Sequence, residues 1–154
     1  MTPLPHRLGA AVACLLLAAG PARAFELVTA DEVARDRAAT TVPAARSLPH
    51  PSAPRIELLA PVIGRPLPSP LDIRLRWSAV DGASIDTATV RVKYGRLGID
   101  VTERVLGAAK VTQQGIDAPS ARLPAGEHRL AVEVADSQRR VARQEFVVQI
   151  QPAL

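Results

Sequence analysis

Downstream of residue 24 the chain carries two histidines, His50 and His128, and these bound its acid–base chemistry. His50 sits in LPHPSAP, where flanking prolines leave no neighbour to orient an imidazole. None of the seven serines lies in a G-x-S-x-G elbow. A nucleophilic triad needs three groups locked within hydrogen-bond reach, and no such set is legible. The sequence therefore predicts a chain with no catalytic residues. Zinc and copper sites need several nitrogen or sulfur ligands. The single cysteine is Cys14 and the single methionine is Met1, both near the amino terminus. Neither a metal-ligating residue nor a cofactor is expected.

Calcium asks only for clustered oxygens. Asp81, Asp86, Asp100, Asp117 and Asp136 fall in or near expected loops, but no D-x-[DN]-x-[DN]-G loop is present. Aspartate also suits turns for its own hydrogen bonds, and that is the role expected here. Four residues are read as candidates for binding. Tyr94 and Arg96 precede Gly98 in one short connection; Arg139 and Arg140 occupy another. Tyrosine and arginine are common interface anchors. Trp77 ends an alternating apolar set and is expected in the core. His128 is expected as a partly buried residue bonded to backbone.

The formal charge of +4 rests almost entirely on arginine, since Lys93 and Lys110 are the only lysines. Acidic residues are interspersed with the basic ones, as in Asp72-Ile73-Arg74, and no basic tract suits nucleic acid. Residues 1–24 read as a secretory signal peptide: His6 and Arg7, then an apolar run from Leu8 to Gly20, then Ala22-Arg23-Ala24. Cleavage is expected after Ala24. The apolar run is too short for a bilayer core, which needs about 20 residues. Ala11-Val12-Ala13-Cys14 loosely resembles a lipobox, but the apolar stretch continues past Cys14. A periplasmic or secreted protein is expected, with a protein partner in the bacterial cell envelope.

The elements that must carry these residues follow from period. Residues 25–39 contain one helix candidate, with Thr29 and Glu32 at capping-box spacing. Residues 40–54 hold four prolines and read as an extended linker. A domain boundary is placed near Arg55, and residues 152–154 form a tail. From Arg55 to Gln151 the period becomes two. Leu71, Ile73, Leu75 and Trp77 alternate with Asp72, Arg74 and Arg76. Val90, Val92 and Tyr94 form a second set; Leu130, Val132 and Val134 a third; Phe146, Val148 and Ile150 a fourth. Glu103 shares the inward parity of Val101 and Val105, which predicts a bulge or early strand end. About seven short strands with no helical connection predict an all-β fold, an Ig-like antiparallel β-sandwich over residues 55–151.

Two stretches resemble bacterial immunoglobulin-like and fibronectin type III-like modules. They are LDIRLRWSAVDGASIDTATVRVKY and LPAGEHRLAVEVADSQRRVARQEFVVQI. The resemblance implies a spacer or binding accessory and says nothing of catalysis. Within it, His128 stands where many such modules have a corner tyrosine. The leading expectation is an exported, non-enzymatic binding or structural accessory protein. The alternative is a periplasmic metal-binding sandwich, for calcium or copper. Periplasmic copper-carrying sandwiches resemble this chain in size and export, but Phe25 stands where their terminal histidine is usual.

Overall fold

The computed structural model describes residues 23–40 and 48–152. Cys14, most of the expected signal peptide and part of the linker lie outside the described residues. The elements in chain order are β1 (Phe25–Glu26), α1 (Ala30–Ala38), β2 (Arg55–Ala60), β3 (Leu71–Ser78), β4 (Ile85–Tyr94), β5 (Ile99–Asp100), α2 (Thr102–Ala108), β6 (Lys110–Thr112), β7 (Gly115–Arg122), β8 (Gly126–Asp136) and β9 (Val141–Ile150). One sheet runs β1-β7-β3-β2, with β6 also on β7; the other runs β5-β4-β8-β9. The fold is an all-β sandwich, as the alternation implies. Leu75, Trp77, Val90, Val92, Val132, Val134 and Val148 are buried between the layers. Asp72, Arg74 and Arg76 face outward, because successive strand side chains point to opposite faces. The Trp77 indole N–H donates to the Thr112 carbonyl at 3.0 Å, satisfying its polar edge inside the core.

Two elements depart from the period-two reading. Val101 and Val105 are both buried because they lie one helical turn apart, and α2 replaces the bulge expected at Glu103. The strand does end early, at Asp100, and the helix turns Glu103 out to solvent. Asp100 Oδ1 accepts from the Thr102 N–H at 2.9 Å at the helix start. The second departure is β7, which lies between β1 and β3 and has little apolar alternation. Its pairing with β3 jumps from Ile73–Ala118 to Leu71–Ala121, so two residues, Pro119 and Ser120, face one, Asp72. Proline is tolerated in a sheet at such a bulge. The Ser120 N–H is taken up by Asp72 Oδ1 at 2.9 Å.

The sandwich begins at Phe25 rather than at the boundary expected near Arg55. β1 pairs in parallel with β7, Phe25 opposite Ala121 and Glu26 opposite Arg122. Leu27 and Val28 that follow are fully buried. Their burial turns the chain across the sandwich end and into α1. There the Thr29 side chain and Glu32 form the reciprocal capping box. Glu32 does a second job. Arg104 of α2 donates to both its carboxylate oxygens at 2.7 Å, and it also reaches the Leu27 carbonyl at 3.4 Å. The paired hydrogen bonds from Arg104, helped by the Thr29 N–H and against the cost of burial, hold the Glu32 carboxyl at about 2. The amino-terminal strap is thereby riveted to the domain by one fork-shaped ion pair.

Arg104→Met leaves the Glu32 carboxylate buried without its main partner. It should cost about 2 kcal/mol, the scale of hydrogen bonds to a charged group, in urea denaturation at pH 7. Because the folded-state pKa lies below the unfolded one, this contribution is present above about pH 4.5 and is lost as the pH falls towards 2. The gap between wild type and variant should close over that range.

Candidate functional site

The corner residue His128 is 1% exposed and has both ring nitrogens engaged. Nε2 lies 2.7 Å from the Pro124 carbonyl, and Nδ1 lies 2.9 Å from the Tyr94 hydroxyl. A carbonyl can only accept, so Nε2 carries the proton, and Nδ1 accepts from tyrosine. Burial pushes the imidazole pKa below its ordinary value, outweighing the Pro124 hydrogen bond. Burial, reinforced by the nearby Asp36 charge, pushes Tyr94 up to about 12. The two rings also tilt against each other at 5.8 Å. Tyr94 is 2% exposed and belongs to the core, so it cannot present the recognition surface expected of it. Its parity with Val90 and Val92 had already pointed inward.

Above this pair lies a polar cleft of about 290 Å³ lined by Asp36, Arg37, Arg96, Glu127 and Arg129. Arg96 is thus at a recess in the surface, as a binding residue would be, but with partners drawn from α1 and β8. Asp36 is buried, and its Oδ1 accepts from the Leu97 N–H at 2.9 Å. Gly95, at φ +70, lies directly against that carboxylate, and any Cβ there would collide with it. Arg37 donates to the Ala125 carbonyl at 3.4 Å, and the tip of its guanidinium lies against Gly126, at φ +124. Glycine at position 95 lets the helix approach the β4–β5 connection closely. Glu127 and Arg129 are two apart on β8, so they share its outer face. Sequence reasoning missed Asp36, Arg37, Glu127 and Arg129; two Gly-marked connections were the only signal for them.

Arg139 and Arg140 stand at the other end of β8, roughly 25 Å away at about 3.3 Å per residue. The fold does not bring them to Arg96. Arg139 is exposed in a tight turn at φ +61. Arg140 is spent internally, contrary to its expected role as a contact residue. Its Nε donates to Asp136 Oδ2 at 2.7 Å, Nη1 to Asp81 Oδ2 at 3.2 Å and Nη2 to the Val80 carbonyl at 3.1 Å. Burial disfavours the Asp136 charge, but the Arg140 and Gln138 N–H groups and the Arg140 guanidinium together lower its pKa. The other loop aspartates are likewise engaged in local structure. Asp86 Oδ1 accepts from the Ala88 N–H at 3.1 Å, Asp100 caps α2, and Asp117 stands opposite both Arg74 and Lys110. Among the described residues, no three His, Cys, Asp or Glu side chains gather as a metal ion would require.

Between the sheets there is an apolar void of about 30 Å³, with Leu27, Ile73, Val105 and Phe146 in its wall. That is room for about one or two waters by volume, and its walls offer water no polar partner. No helix among the described residues is long and apolar enough to cross a membrane. No known protein family matches the chain, and no curated protein matches it either. A solved structure that matches is that of CopC from Methylosinus trichosporium OB3b. It shares 14% identity at a TM-score of 0.44, over 65% of this chain and 97% of that one.

Tyr94→Phe removes the donor to a buried ring nitrogen and should cost about 1–3 kcal/mol in chemical denaturation. A histidine with a lowered folded pKa contributes fully above its unfolded value of 6.5. The unfolded chain then takes up a proton first as the pH falls. Stability should therefore decline as the pH falls below 6.5 in the wild type, and this decline should be absent in His128→Gln.

Proposed function

We propose that this chain is an exported, non-enzymatic β-sandwich module, of the immunoglobulin-like kind that its two signature stretches resemble. It acts as a binding accessory in the bacterial cell envelope. Its recognition surface is the end of the sandwich that holds the charged cleft. The observation carrying this reading is that cleft: a polar recess of about 290 Å³ built by α1, the β4–β5 connection and β8. A non-catalytic role is supported by the fate of the two histidines. His128 has both nitrogens committed inside the core. His50 is exposed and its Nδ1 accepts from the Ser52 N–H at 3.1 Å. Neither is poised to move a proton to or from a substrate. Export is supported by the leader pattern before Phe25 and by the strap that begins there, which is part of the folded domain.

A photoreactive amino acid at Leu97, which is exposed beside Arg96, tests the surface in intact cells. A discrete protein adduct is expected from that position and none from Arg139 at the opposite end. Adducts from Arg139 alone, or from neither, would overturn the reading. Osmotic shock should release the protein with Phe25 at its amino terminus; retention of the uncleaved chain in the cytoplasm would refute export.

A further inference from the structure

We infer that the cleft is a carboxylate-recognition site, and that its occupant is an acidic side chain on an extended segment of a protein partner. The inference rests on the proposed binding role and gives it a chemistry. Three guanidiniums, Arg37, Arg96 and Arg129, converge on one recess with two carboxylates, Asp36 and Glu127. Asp36 is buried and already accepts the Leu97 N–H. Arg129 forms no salt bridge with any described residue, and neither does Arg37, whose side-chain hydrogen bond goes to the Ala125 carbonyl. Each guanidinium has five N–H donors in a planar fork that matches a carboxylate. Arg37 and Arg129, exposed on facing elements and outside any salt bridge among the described residues, are what such an anion needs.

Two features narrow the anion. Glu127 shares the recess with Arg129, so a dianionic phosphate would meet a carboxylate as well as the cations; a singly charged carboxylate fits the cleft's small positive excess. Leu97 beside Arg96 is 54% exposed, an apolar contact that a peptide's neighbouring side chain can cover and a free small acid cannot. The walls are also held before any ligand arrives. The Gly95 N–H donates to the Arg129 carbonyl at 2.8 Å, which ties the β4–β5 connection to β8. Asp36 and Glu32 tie α1 to the domain. Preorganisation of this kind reduces the ordering cost of binding.

The test is titration of the purified protein, followed by NMR or calorimetry, with an acetylated and amidated peptide carrying two adjacent glutamates. The matched glutamine peptide, succinate and inorganic phosphate are the comparison probes. The glutamate peptide should bind at least 10-fold tighter than the glutamine peptide and than either small anion. Arg129→Gln should weaken it at least 10-fold, Glu127→Gln should strengthen it several-fold, and both exposed-site variants should keep the wild-type thermal midpoint. Equal affinity for the two peptides, or tighter binding of succinate or phosphate, would overturn the inference. So would an Arg129→Gln protein that binds like wild type. If the Leu97 adduct forms in cells and persists undiminished in Arg129→Glu, the proposed function stands and the carboxylate assignment fails.

Discussion

The fork between Arg104 and Glu32 holds the two ends of this molecule's logic together. One carboxylate closes the capping box of α1 and receives two charge-assisted hydrogen bonds from α2. It is buried, so its charge is tolerable only while those partners stay in place. By fixing α1, the pair keeps Leu27 and Val28 in the core and sets Asp36 and Arg37 against the β4–β5 connection and Ala125. A helix of nine residues would be marginal alone. Here it is stable because tertiary contacts supply what its thin apolar face cannot.

A second polar arrangement closes the β7–β8 turn. The Tyr94 hydroxyl and the His128 ring satisfy one another, and the remaining His128 nitrogen satisfies the Pro124 carbonyl. Among the described residues no buried side-chain polar atom lacks a partner. The corner is closed by a neutral imidazole, which links the β7–β8 turn to β4 across the sheet. Above it, side chains on the outer surface create the cleft; below it, the interior is aliphatic. The histidine faces the interior and is not one of the residues that line the cleft.

At the far end of β8, Arg140 does for the two turns what Arg104 does for the strap. It joins Asp136 of one turn to Asp81 of another across the edge of the sandwich. By sequence alone, Arg140 reads as a candidate binding residue. Arg104 reaches a carboxylate 72 residues away in sequence, and Arg140 joins one 4 residues away to another 59 away. Arg96 stands at a recess, in company with charged residues from other elements.

Strand faces were legible because the direction of a side chain along an extended backbone is a local property. Leu71, Leu75 and Trp77 had to face away from Asp72, Arg74 and Arg76 whatever the rest of the chain did. The capping box of α1 was legible for the same reason, since Thr29 and Glu32 are three residues apart. β7 was hidden because Pro119 and Ser120 break its pattern at a bulge that only β3 explains. α2 was hidden because Val101 and Val105 satisfy strand parity and helical spacing equally. The cleft was illegible altogether. Its helix is held by contacts between Asp36 and Leu97 and between Arg37 and Ala125, 61 and 88 residues apart. The amino-acid order thus determined the layers and their inward faces. Tertiary packing alone decided which charges would meet, because attraction between distant residues acts only after the sheets have brought them together.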